Sequence, residues 1–432
     1  MAGATREARA AGERLPDRIS IGVLARTFTD ELIDEVIDEA GAREKRYRLL
    51  PARLVVLLTL ACWLFTRTGY VGVLGKLVDA HLVAGGARGW SMPGTEAIGR
   101  ARERLGPAPL RLLFGKVVGP CGRAGTPGVF YRGLRVATLD GFTLDVKNTQ
   151  ENLEYFGRGG NGSGTKNPYP QLRALALAES GTRSLLGVAH GPCTVGEKTL
   201  ALDLLPALGP GMLVLADRNF ISFTLWTKAA ATGADLCWRV PASFTLTPTA
   251  VLADGTYLST LRAPRRKERD PVTVRIIEYS VTTRDAGTRD AGTGEGRTGS
   301  QSGAGGTGEV SELFVLATTL LDPAHAPAED LADLYHLRWQ AETGIGDLKG
   351  QRGSPEHVLR SKKPATAIQE LYAMFCVYQA VRDLIDYASP PGLDPSRVSF
   401  TKAIDAARDT VTRAALSPPA PNGAPSPTSP PP

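Results

Sequence analysis

In "YHLRWQAETGIGDLKGQ", residues 335–351, a phenol, two cations and an acid recur at helical spacing. With Tyr335 at zero and about 100° per residue, Arg338 falls at about 300°, Glu342 at about 340° and Lys349 at about 320°. One narrow stripe therefore offers an acid flanked by cations. The same stripe also fits a solvated helix face on which Arg338 and Glu342 form an i,i+4 pair worth a few tenths of a kcal/mol. Two further acids close apolar, β-prone runs: Asp140 ends "LRVATLD" and Asp217 ends "MLVLAD". A lone aspartate at a strand end is more often a turn-former or cap, but two of them with a helix acid make a more specific pattern. Three carboxylates in one pocket repel each other unless divalent cations neutralise them, and such oxygen ligands favour Mg²⁺ or Mn²⁺. Two such ions can activate a water or hydroxyl and stabilise the leaving oxygen in an in-line attack on a phosphodiester, while Arg338 and Lys349 hold the flanking phosphates.

These residues need a scaffold. "FTDELIDEVIDEA" places Leu32, Ile33, Val36 and Ile37 at helical spacing under an acidic face, and helical patterning dominates to about residue 118. The runs ending at Asp140 and Asp217, with "LRALALAE" between them and the helical "ISFTLWTKAAATG" after them, predict an α/β centre. "DLCWRV" and "VTVRIIEYSV" predict strands, and "TRDAGTRDAGTGEGRTGSQSGAGGTGE" is too glycine-dense to pack, so residues 283–309 read as a disordered insertion. "AIQELYAMFCVYQAVRDLI" is a further long helix, and the tail "SPPAPNGAPSPTSPPP" reads as unfolded. Gly344 and Gly346 sit awkwardly in the acid-bearing helix, each costing roughly 0.5–1 kcal/mol against alanine. They are read as a kink, a close approach of the DNA backbone or a sign of decay; a kink would take Lys349 out of the stripe.

Composition excludes several classes. At 432 residues, 42% hydrophobic and 22% charged, the chain is globular, and its net charge of +6 is a mild excess that suits a polyanion. The five cysteines are scattered without a C-x-x-C pair, which argues against a disulfide framework or structural zinc and for a reduced, cytoplasmic setting. "LLPARLVVLLTLACWLF" is broken by Arg53 and too short for a bilayer, so it reads as a buried helix with no membrane role. "GRGGNGSGTK" lacks the Gly-Lys-Ser/Thr order of a phosphate loop, because Thr165 precedes Lys166. His357 and Arg360 in "HVLR" are shared with tyrosine recombinases, yet nothing marks the further cations that chemistry needs. Trp226 and Trp238 could stack on an unpaired base, although core packing is the commoner role.

With those residues identified, the chain resembles the DDE transposases of bacterial insertion sequences, in the insertion-sequence-four group. That group's signature of Tyr, two residues, Arg, three residues, Glu, six residues and Lys is matched by Tyr335, Arg338, Glu342 and Lys349. "TLDGFTLDVKNTQENLEYFG" resembles its first-aspartate segment, with Asp140, Asn152 and Phe156. "LADRNF" resembles the second, with Asp217, Arg218 and Phe220.

The resemblance implies an α/β fold: an RNase H-like catalytic domain over about 130–390 with a β-rich insertion at about 235–320. A helical N-terminal DNA-binding domain at 15–118 precedes it, a C-terminal helix at 391–416 follows, and 1–14 and 417–432 are expected to be disordered. It implies Asp140, Asp217 and Glu342 as catalytic, metal-binding acids, with Tyr335, Arg338, Lys349 and Arg218 contacting DNA. The implied cofactor is Mg²⁺ or Mn²⁺, two ions, and the implied partners are double-stranded DNA with terminal inverted repeats, target DNA and a second copy of the chain. The expected reaction is hydrolytic nicking at element ends and attack of the freed 3′-hydroxyl on target DNA, in a cytoplasmic, nucleoid-associated protein. Rival readings are a decayed or repurposed DNA-binding protein and a metal-dependent nuclease that cuts without joining.

Overall fold

The computed structural model describes residues 21–46, 48–78, 91–160, 167–241, 244, 246–263, 271–283, 310–350, 358–390 and 392–414, without the side chains of 282–283, 310–311, 349–350 and 412–414. The expected disordered termini, 1–14 and 417–432, and all but the first residue of the 283–309 segment lie outside these residues. The chain divides into two compact units, one of 1–116, 369–377 and 402–432 and one of 117–368 and 378–401.

The first unit is helical. Helix α1 (Asp30–Glu39) starts where the Thr29 side chain accepts from Leu32 N at 3.2 Å, and it buries Ile33, Val36 and Ile37 as the periodicity predicts. Helix α2 (Ala52–Leu64) is buried almost all round, as its predominantly apolar sequence after Arg53 requires. Arg53, which interrupts that greasy run, pairs with Asp30 at 3.3 Å and with Asp34, tying the start of α2 to α1. Helices α3 (Tyr70–Leu77), α4 (Thr95–Leu105) and α5 (Ala108–Val117) follow. On α4, Arg102 is buried but satisfied: its Nε donates to Gln369 Oε1 at 2.9 Å and its Nη1 to the Tyr70 hydroxyl at 2.6 Å. No helix among the described residues is long and apolar enough to cross a membrane.

The second unit is a mixed α/β structure built on one sheet. Strands β1 (Phe130–Tyr131) and β2 (Leu134–Val146), helix α6 (Gln150–Phe156), β3 (Gln171–Glu179), β4 (Leu185–Pro192), α7 (Glu197–Asp203), β5 (Met212–Ala216), α8 (Phe223–Ala230) and β6 (Asp235–Arg239) form its first part. Short β7 (Ala250–Val251), then β8 (Tyr257–Leu261), β9 (Val272–Thr283) and β10 (Val310–Thr318) extend the sheet by antiparallel pairing. Helices α9 (Ala328–His336) and α10 (Trp339–Gly350), strand β11 (Val358–Leu359), and helices α11 (Pro364–Ala388) and α12 (Phe400–Ala414) complete the chain, the last two passing into the first unit. The strand order is β4-β3-β2-β5-β6-β10-β9-β8-β7, with β1 and β11 also on β2. β2, β5 and β6 run parallel, and β3 and β4 antiparallel to their neighbours.

Alternation along the strands sorts the core onto two faces. Ala137 and Leu139 of β2 join Val214 and Ala216 of β5 against α7 and α8. Trp226 and Trp238 are fully buried in that cluster, edge to face at 5.1 Å, so neither is available to a base. Val136 of β2 and Leu213 and Leu215 of β5 point the other way, against Leu331, Leu334 and Tyr335 of α9.

Candidate active site

The period of two that fills the core also aims the acids. Asp140 lies four residues beyond Val136 on β2, and Asp217 lies two residues beyond Leu215, just past the end of β5. Both therefore belong to the face that carries α9. The two strands are parallel neighbours paired as far as Leu139↔Ala216, so Asp140 and Asp217 each follow that pair by one residue and leave it side by side.

Glu342 enters from α10. Its Oε1 pairs with Arg338 Nη1 at 2.6 Å, and the Arg338 side chain is only 10% exposed. The fields of these groups overlap. Burial first, then the charges of Glu342 and Glu197, push the Asp140 carboxyl up to about 6, against the pull of Arg338 and the bond from Gly141 N. Arg338 is held in its charged form against burial by the Tyr335 ring, Glu342 and Asp217. The fold thus draws Asp140, Asp217, Glu342 and Arg338 into one electrostatic neighbourhood. Among the described residues, no three acidic, histidine or cysteine side chains stand close enough to enclose an ion.

One sequence expectation fails on local geometry. The helix carrying the four polar residues is not continuous: it breaks at Leu337–Arg338, where Leu337 N bonds to Leu334 O and Arg338 N to Tyr335 O, one residue shorter than α-helical spacing. A count at 100° per residue does not carry across such a tight turn, so Tyr335 does not share a surface stripe with Glu342. Tyr335, expected to touch DNA, is 3% exposed in the α9 core, and its hydroxyl donates to Ala216 O at 3.4 Å. Its place is beneath the residue preceding Asp217, where burial lifts its phenol far above the usual range. Arg218 is exposed beside Asp217. The Lys349 backbone lies in the last turn of α10, but its side chain lies outside the described residues.

The glycines do not kink α10, which runs unbroken from Trp339 to Gly350. They differ in purpose. A Cβ on Gly344 would lie 2.8 Å from the Tyr378 hydroxyl and 3.4 Å from Arg183 Cβ, so close packing demands glycine there, while Gly346 has nothing within 4 Å. Gly346→Ala is expected to raise the unfolding free energy by roughly 0.5–1 kcal/mol through helix propensity. Gly344→Ala is expected to lower it by about 1–3 kcal/mol through overpacking against the buried tyrosine. Denaturant titration of the two variants side by side measures this difference in sign.

Two residues near the acids escaped the sequence reading. Glu197, at the start of α7, packs against Gly141: a Cβ on that glycine would lie 2.5 Å from Glu197 Oε1. The signal was present, because a glycine inside a strand marks close approach by another group. Trp339, between Arg338 and the glutamate, is 60% exposed, and nothing in its local sequence distinguishes it from a core aromatic.

A mixed sheet bearing two neighbouring aspartates on one face, with a helix glutamate coupled to them, defines an α/β protein with an acidic site. Comparison with known proteins makes the assignment specific. Residues 131–380 match the Transposase DDE domain family, and residues 18–115 match the Insertion element 4 transposase N-terminal family. The transposase InsG for insertion sequence element IS4 of Escherichia coli K12 is 26% identical over 383 residues, covering 86% of this chain and 79% of that protein. The putative transposase InsZ of the same organism is 25% identical over 224 residues, covering 52% of this chain and 72% of its own length. A solved piggyBac transposase synaptic complex with hairpin DNA aligns at a TM-score of 0.44 and 11% identity, covering 92% of this chain and 82% of that one. The chain belongs to the insertion element 4 family of DDE transposases, enzymes of DNA transposition. The family depends on divalent cations.

Proposed function

We propose that the second unit is an RNase H-like core in which Asp140, Asp217 and Glu342 are the catalytic acids that cut and join DNA at the ends of an insertion sequence. The observation that carries this is the register that sets Asp140 beside Asp217 on the face to which α10 brings Glu342. The donor set fits Mg²⁺ or Mn²⁺: all three groups are carboxylates, and the proton affinity of Asp140, raised by burial first and by Glu342 and Glu197 after it, is one that a cation would offset. Held by these three residues, one or two such ions would supply activation of the attacking hydroxyl and stabilisation of the leaving oxygen.

The chain's own residues do the rest. Asp140, Asp217 and Glu342 carry the negative charge that fixes the cation. Arg338 and the exposed Arg218 offset phosphate charge beside the scissile bond, and Lys349 adds to them from the end of α10. Tyr335 supports the Asp217 strand end through Ala216 O rather than touching DNA. The substrate on this reading is double-stranded DNA with terminal inverted repeats, cut hydrolytically and joined through the freed 3′-hydroxyl to a target duplex by a pair of chains. The net charge of +6 suits that partner. The setting is the bacterial cytoplasm, at the nucleoid.

The test is incubation of the protein with a duplex carrying the inverted repeats that flank its own gene, a second target duplex, and Mg²⁺ or Mn²⁺. Cleaved ends joined to the target are expected. Cleavage without joining would point to a nuclease, and cleavage that persists in Asp217→Ala would overturn the site.

A further inference from the structure

The turn between β3 and β4, "ESGTRS" (Glu179–Ser184), is built to be rigid. Gly181 has φ +82° and Arg183 φ +61°; Arg132 and Arg183 are the non-glycine residues in that left-handed region among the described residues. An L side chain holds such a conformation only where its surroundings impose it. Here the wholly buried carboxylate of Glu179 imposes it: it accepts from Gly122 N at 2.8 Å, from Ser184 Oγ at 3.2 Å and from Thr182 Oγ1, and it pairs with Arg135. The Tyr378 hydroxyl adds a bond to Arg183 O at 2.9 Å.

This turn meets α10 at three points. Gly181 N–H donates to Gln340 Oε1 at 2.6 Å. Arg183 lies against Gly344, its Cβ 3.4 Å from where a Cβ would stand. The Arg183 guanidinium pairs with Asp347 at 3.5 Å, and the same carboxylate receives the fully buried Arg382 at 2.5 Å. At about 100° per residue, Gln340, Gly344 and Asp347 share an arc of roughly 60°, and Glu342 lies nearly opposite, at about 200° from Gln340. Between the two flanks, Ala341, Ile345 and Leu348 line a small cavity with Asp140, Ala176 and Ala178. A helix resting on small apolar side chains has little of its own to stop it rolling, and a roll of about 10–20° is enough to spoil a catalytic constellation.

We propose that the β3–β4 turn is a bracket that sets the rotation of α10 and thereby the aim of Glu342, with Gln340, Arg183 and Asp347 as positioning residues. The inference rests on Glu342 being a site acid, as argued above. Asp347 is a poor first variant, because its loss strands the buried Arg382 and the half-buried Arg183. Gln340 is the better probe: Gln340→Leu keeps the bulk and removes the acceptor, and Gln340→Glu keeps an acceptor oxygen for Gly181 N–H.

Gln340→Leu is expected to lower single-turnover nicking of the inverted-repeat duplex at saturating DNA by roughly 10–100-fold, as losses of outer-shell support do, with KM for the duplex unchanged. Amide hydrogen exchange over 339–350 should quicken in Gln340→Leu while the sheet keeps its protection, and Gln340→Glu should restore both the rate and the protection. The bracket is overturned if Gln340→Leu nicks and exchanges like the parent, if the Leu and Glu variants fall alike, or if the loss only follows a loss of folded protein. Cutting that survives in Asp217→Ala would indict the site reading instead, and the exchange measurement would still judge the bracket.

Discussion

Asp140→Asn is expected to yield a more stable protein that no longer cuts DNA. The carboxyl is pushed up to about 6, by burial first and by Glu342 and Glu197 after it. Below about pH 4 it is neutral folded and unfolded, and its ionisation contributes nothing. Between about pH 4 and 6 the native state keeps a proton that the unfolded chain has released, so stability falls as pH rises, and above about pH 6 the full cost, on the order of 3 kcal/mol, is present. Asparagine escapes that cost while its carbonyl can still accept from Gly141 N, the bond that Asp140 makes at 3.0 Å. The variant's gain over the parent in denaturant unfolding should therefore be near zero at pH 3.5, grow to pH 6 and then level off. Mg²⁺ or Mn²⁺ should raise the melting temperature of the parent and leave the variant unmoved. Nicking should fall at least about 1,000-fold, since several kcal/mol of transition-state stabilisation go with the cation ligand. A variant that nicks normally, or that is destabilised at pH 8, would refute the assignment of Asp140 to a crowded metal-binding site.

Arg275→Ala carries the largest expected loss of stability. Arg275, on β9, is fully buried: its Nη2 pairs with Asp254 at 2.6 Å, its Nε donates to Thr256 Oγ1 at 2.9 Å, and its Nη1 donates to Ala326 O at 2.5 Å. Ala326 lies two residues before α9, the helix that seats Tyr335 beneath the Asp217 strand end. The arginine thus ties the antiparallel extension of the sheet to the approach to the proposed active site. Truncation leaves a carboxylate, a hydroxyl and a carbonyl without their donor, a loss of about 3–5 kcal/mol and a melting temperature lower by about 10 °C. Asp254→Asn keeps an acceptor oxygen but leaves the fully buried guanidinium without its counter-charge, so it too should cost about 3 kcal/mol. A loss of about 1 kcal/mol or less in Arg275→Ala would show that the buried guanidinium is not what the extension depends on.

Features that depend on local pattern are legible in the chain alone. The apolar run "MLVLAD" was enough to end a strand at Asp217, whereas the strand expected to end at Asp140 continues to Val146, because its antiparallel pairing with β3 extends to Asp145. The 3.6-residue repeat of "FTDELIDEVIDEA" likewise marked α1 and its buried positions. The signature spacing of Tyr335, Arg338, Glu342 and Lys349 was enough to suggest the family.

Tertiary structure decided what the residues do for one another. Only the register of β2 against β5 sets the two aspartates side by side, because pairing between strands separated by two others and two helices is not written in either strand. The break at Leu337–Arg338 carries no proline or glycine to announce it, and it moved Tyr335 from an expected DNA surface into the core. The question of the two glycines could be answered only by neighbours distant in sequence: Tyr378 and Arg183 fill the space beside Gly344, and nothing fills the space beside Gly346. A glycine looks the same in a sequence whether it admits a neighbour or faces open space, and packing alone tells the two apart.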